Sequence, residues 1–154
     1  DDGYPITWLR SHIPSNTLAA LYGLGEDCRK REALGPDVDI IIHPIDETNT
    51  RVRPAQLMAK IERSGGKGLI CLVGVQTNQF PHAVDLARKF LKGRFPVAIG
   101  GFHVSGCLSM LPVMPPEMTP LSVAPAATTL VRSVPVMTAF VRNALLRLAD
   151  GPTR

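Results

Sequence analysis

Gln76-Thr77-Asn78-Gln79 sets four hydrogen-bonding side chains in a row, directly after the apolar run Leu69-Ile70-Cys71-Leu72-Val73-Gly74-Val75. Amides and a hydroxyl in such a place can hold the uncharged polar edge of a ligand, or a phosphate ester. They can also cap the helix that should start near Pro81, through Thr77 or Asn78. Gly100-Gly101-Phe102-His103 follows another apolar run, Phe95-Pro96-Val97-Ala98-Ile99. Paired glycines let the backbone approach a large flat or phosphate-bearing ligand and take positive φ freely. A plain turn would use the same residues.

Asp46-Glu47 and Arg51-Val52-Arg53 surround Thr48-Asn49-Thr50. A carboxylate pair beside arginines can do acid–base chemistry on a nucleotide or sugar phosphate. The commoner use of such a loop is a solvated ion-pair cluster, with Asn49 steadying a tight turn. The histidines His12, His43, His82 and His103 are dispersed, with no H-x-x-x-H pair. His43 at a strand end and His82 in a helix's first turn read as structural or exposed. His12 and His103 fall in loops where a ligand role stays open. The chain contains no G-x-x-x-x-G-K-[ST] loop, G-x-G-x-x-G fingerprint or G-x-S-x-G elbow. Catalysis by this chain alone therefore has no visible machinery.

The elements that must position these segments alternate. Val38-Asp39-Ile40-Ile41-Ile42-His43-Pro44 is β-branched and stopped by proline, as a strand would be. Leu69–Val75 is almost continuously apolar, which suits a strand covered on both faces of a parallel sheet. Phe95–Ile99 is a further strand, and Ile6-Thr7-Trp8-Leu9 a weaker one. Helical spacing runs from Asn16 or Thr17 through Leu18, Leu21, Tyr22 and Leu24, with Ser15, Asn16 or Thr17 as N-cap. Pro54 opens a helix closed by Gly65-Gly66, and Pro81 opens another closed by Gly93. The β-α-β-α-β-α-β order predicts a doubly wound α/β parallel sheet of four strands, most simply 2-1-3-4.

In that order the ligand crevice lies outside the carboxyl ends of the first and third strands. Ser11, His12, Ser15 and Asn16 would line it, with Gln76, Thr77, Asn78 and Gln79, and with Gly100, Gly101, Phe102 and His103 from a turn over Gly100–Ser105. The sheet domain spans residues 1–111. Residues 112–154 form an atypical tail rich in proline and methionine, with a possible helix over Val136–Ala149 and no obvious strand–helix unit.

With 154 residues, 45% hydrophobic and 19% charged, the chain can bury a core and is not wholly disordered. Its net charge of +4 is spread without a basic run, so a nucleic-acid partner is not expected. Neither a signal peptide nor an apolar stretch of about eighteen residues is present, so no membrane role is expected. Cys28, Cys71 and Cys107 lie too far apart for a zinc motif, and their odd number argues against a disulfide framework. A reducing cytoplasm is the expected setting. The start at Asp1, without methionine, suggests a processed, trimmed or fragmentary beginning.

LVGVQTNQFPHAVDLAR (residues 72–88), followed by PVAIGGFHVSG (96–106), resembles the N-terminal cobalamin-binding domain of cobalamin-dependent radical S-adenosylmethionine proteins. IPSNTLAALYGL (13–24) and DETNTRVRP (46–54) are similar to the same group, and the resemblance covers roughly residues 3 to 112. It implies a flavodoxin-like domain holding a corrinoid at the carboxyl edge of its sheet. The Gln76–Gln79 loop would face the nucleotide tail, with Gly100-Gly101 as the glycine turn beside it. The D-x-H-x-x-G motif of other cobalamin domains is absent, which leaves cobalt without a protein histidine or, as the lesser option, with His12. The C-x-x-x-C-x-x-C signature of the radical domain is also missing, so no iron–sulfur cluster is expected in this chain. The resemblance thus implies a corrinoid-binding module without catalysis of its own, whose radical S-adenosylmethionine domain is missing from this chain. It stops near Pro112, as it would in a truncated or frameshifted product.

Overall fold

The computed structural model describes residues 15–65 and 67–113, together with the backbone of the strand at 128–130. Among these residues the fold is mixed α/β. Three parallel strands, β1 (Ile70–Leu72), β2 (Val97–Ile99) and β3 (Thr128–Leu130), lie in the order β1-β2-β3. Ile70 pairs with Val97 and Val97 with Thr128, so both neighbours of β2 are in register along its whole length. Helix α1 (Asn16–Lys30) and helix α2 (Pro54–Arg63) precede the sheet; α3 (Phe80–Lys92) connects β1 to β2, and α4 (Phe102–Met110) follows β2.

Local chemistry explains the helix ends. The Leu18 N–H donates to Ser15 Oγ at 3.3 Å, so Ser15 is the N-cap of α1. Pro54 sits in the first turn of α2, where its missing N–H costs nothing, and Gly65 takes φ +104° just beyond the helix. Gly93 ends α3.

The core lies between α3 and β2. Phe80, Ala83, Val84, Ala87 and Phe90 recur at helical spacing on the buried face of α3, and all three residues of β2 are buried. Leu57, Met58 and Ile61 of α2 pack against this cluster from its edge. Helix α1 buries no residue completely and carries exposed charges, including the Arg29–Glu26 pair at 2.8 Å.

Four expectations change. Residues 38–46 run without forming a strand, so the second predicted strand has no place in the described sheet. Val38 and Ile41 are exposed there, and an apolar run without a covering layer gains little from pairing. Gly100–Ser105 is not an open turn, because α4 begins at Phe102. β3 lies within the segment where no strand was expected, and it extends the sheet beyond β2. A four-stranded sheet in order 2-1-3-4 is therefore not what the described residues form. The predicted strand Ile6–Leu9 and the predicted helix Val136–Ala149 lie outside the described residues. No helix among the described residues is long and apolar enough to cross a membrane.

Candidate functional site

Parallel strands put their carboxyl ends, and the loops that follow them, at one edge of a sheet. After β1 the chain passes through Gly74, at φ +71°, into a single turn of 3-10 helix over Thr77–Gln79. After β2 it passes through Gly100 and Gly101 into α4. Backbone hydrogen bonds stitch the two loops together. Gly100 N–H donates to Leu72 O at 2.8 Å, Val75 N–H to Gly100 O at 3.1 Å, and His103 N–H to Val75 O at 3.3 Å.

Gly101 explains why this seam needs glycine. Its φ is +149°, and a Cβ there would run into the backbone N and O of Val75. The close approach that paired glycines permit is thus made to the chain's own backbone, and Gly100 is buried beneath the rim. Phe102, the next residue, is 80% exposed, an aromatic ring left in solvent beside the seam.

The polar quartet divides in two. Gln76 and Gln79 form a reciprocal capping box, in which the Gln76 N–H donates to Gln79 Oε1 at 3.1 Å and the Gln76 side chain accepts from the Gln79 N–H. Thr77 and Asn78, expected as alternative caps, are exposed and make no side-chain hydrogen bond among the described residues. His103 lies against Phe80 with ring centroids 4.3 Å apart, and its Nε2 is 3.7 Å from Cys107 Sγ. Thr77, Phe80, Pro81, Val84, Asp85, Arg88 and His103 line a cleft of about 440 Å³.

The N-terminus of α1 joins the same edge. Thr17 lies beside Gly74, within 4 Å of where a Cβ would stand. Ser15 and exposed Asn16 are its neighbours, while Ser11 and His12 lie outside the described residues. Of the candidate residues, then, Gln76–Gln79 and Gly100–His103 come together, and Ser15-Asn16 adjoins them through Thr17. Sequence reasoning passed over two contacts. Thr17 follows the N-cap and gives no chemical signal alone; Cys107 meets His103 only if residues 102–110 are read as helical, where positions four apart share a face.

The acidic–arginine loop is tied down by its own carboxylates. Asp46 Oδ1 accepts from Thr48 Oγ1 at 2.7 Å and from the Thr48 N–H at 3.0 Å. Those bonds, with a further one from the Ser15 backbone, hold the Asp46 carboxyl below its ordinary pKa. Glu47 Oε1 is 2.8 Å from His82 Nε2, so this pair fastens the loop to the first turn of α3. Both carboxylates are thus engaged by neighbouring groups of the fold. His43 is exposed, with Nδ1 3.4 Å from Lys60 Nζ.

No family model, curated protein or solved structure matches this chain. The functional reading therefore rests on the residues alone. Among the described residues no group of three histidine, cysteine or acidic side chains is placed to hold a metal ion, and Cys28, Cys71 and Cys107 are all free thiols.

Proposed function

We propose that the chain is a cytoplasmic, flavodoxin-like corrinoid-binding module, without catalysis of its own, that works with a radical S-adenosylmethionine domain. One observation carries the reading. Two loops at the carboxyl edge of adjacent parallel strands are stitched into one rim, and that rim exposes Thr77, Asn78 and Phe102, the first two without a side-chain hydrogen bond among the described residues.

The donor set suits a corrinoid. A corrin ring is fringed with amide side chains and carries a nucleotide tail with ribose hydroxyls. An amide and a hydroxyl side chain bond such groups without needing a charge. Phe102 offers an apolar face to a flat ring. Thr77, Asn78 and Phe102 would hold the group, with Asn16 and Thr17 closing the neighbouring side. The cobalt is carried by the corrin's own nitrogens, and when bound it supplies alkyl-transfer or redox chemistry that the chain's residues do not.

Mixing the protein with hydroxocobalamin at about 50 µM each, followed by gel filtration, tests the reading. Visible corrinoid absorbance should elute with the protein, and Asn78→Ala combined with Phe102→Ala should release it. A protein peak without corrinoid colour overturns the proposal.

A further inference from the structure

A second cleft, of about 410 Å³, shares no lining residue with the rim and is lined by Ile45, Asn49, Thr50, Arg51, Val52, Arg53, Gln56 and Leu57. Its charge is one-sided. Arg51 and Arg53 are exposed, and neither forms an ion pair with a described carboxylate. Asp46 and Glu47 of the same loop do not line the cleft: Asp46 closes its own turn on Thr48, and Glu47 lies against His82.

The two arginines flank one anchored residue. Arg53 has φ −119° and ψ 89°, and residues 51–53 are not helical. Val52 packs against the core, while Arg51 and Arg53 on either side of it are exposed and line the same cleft. Arg53 is also the N-cap of α2 but makes no side-chain capping bond, so its guanidinium is not drawn back onto the helix.

We propose that this cleft binds a phosphate monoester with a planar or apolar body, a nucleoside monophosphate being the simplest. Two guanidinium forks match the oxygens of a phosphate dianion bidentately. Asn49, Thr50 and Gln56 add neutral hydrogen-bonding groups, and Ile45, Val52 and Leu57 supply apolar wall for the rest of the ligand. The volume falls in the ordinary range for small-ligand sites. The lining itself holds no carboxylate or histidine, so the groups it offers are those of a binding site. It stands whether or not the rim holds a corrinoid.

Calorimetric titration of the whole chain with AMP, adenosine and inorganic phosphate tests this. AMP should bind, more weakly as salt rises; inorganic phosphate should bind more weakly than AMP, and adenosine not measurably. Arg51→Gln and Arg53→Gln should each weaken AMP at least about tenfold, with unchanged circular dichroism. If either fails to fold, Arg51→Lys replaces it: the charge stays, the fork is lost, and AMP affinity should still fall severalfold. Asn78→Ala, at the other site, should leave AMP binding unchanged. Absence of AMP binding, equal binding of adenosine, or glutamine variants that bind like the parent overturns the proposal.

Discussion

Gly101 shows how one missing methyl group can hold two loops together. Its backbone lies against that of Val75 in a conformation that side chains rarely adopt. Gly101→Ala must therefore open the seam or strain the backbone. The expected loss is about 2–4 kcal/mol, a fall in Tm on the order of 10 °C. A calorimetric melt checks it, and a Tm within about 2 °C of the parent would contradict the seam. Asp46 poses a question of pH. Thr48 and the Ser15 backbone depress its folded pKa below the unfolded value. The folded state is therefore favoured above the unfolded pKa, and that advantage fades as pH falls through the folded one. Asp46→Ala should cost about 1 kcal/mol or less at pH 7, since solvent screens the site. The gap between mutant and parent should narrow in a series of denaturant titrations as pH falls below the ordinary aspartate range. A gap that stays constant with pH would mean that the carboxylate is not what holds the turn.

The elements differ in how much of their stability is local. Helix α3 is defined by its buried face, and Phe90 at 1% exposure is anchored there. Phe90→Ala removes a whole ring from this packing, with an expected cost of about 3–5 kcal/mol in urea unfolding; a cost under about 1 kcal/mol would show that α3 is not packed as described. Helices α1, α2 and α3 are legible in the sequence because their signals are local: Ser15 before an apolar period, Pro54 and Pro81 at first turns, Gly93 as the stop. β1 and β2 are legible too, as apolar runs, the second ended by Gly100-Gly101. Val38–Ile42 has the same composition yet forms no strand, because pairing depends on neighbours that composition does not specify. Helix α4 escaped because Gly100-Gly101 looks like a turn and FHVSGCLSM has no amphipathic period. The rim was legible as two polar loops. Its seam was not, since nothing in Gly101 names Val75 as its neighbour.

Over the whole molecule, order should decline from the strand that is paired on both sides to the helix that buries least. β2 is hydrogen-bonded to β1 and β3 and has all three residues buried. α1 has fifteen residues and buries none of them completely. Its attachments to the described fold include the Ser15 backbone beside Asp46, the contact of Thr17 with Gly74, and Ile42 against Gly25. Opening α1 exposes little apolar surface, whereas opening β2 exposes the core, so the two should not share one exchange free energy. Amide hydrogen exchange should protect Val97–Ile99 and the buried face of α3 at least about a hundredfold more than the middle of α1. The same difference bears on binding. A ligand held on the rim that also touches Asn16 or Thr17 binds only the state in which α1 is docked, so it must raise the protection of α1 by mass action. Hydroxocobalamin should therefore slow exchange in the first turns of α1 while leaving β2 at its global limit. If α1 is already as protected as β2 in the free protein, its docking is not marginal; if the corrinoid binds without changing α1, the site does not extend to Thr17.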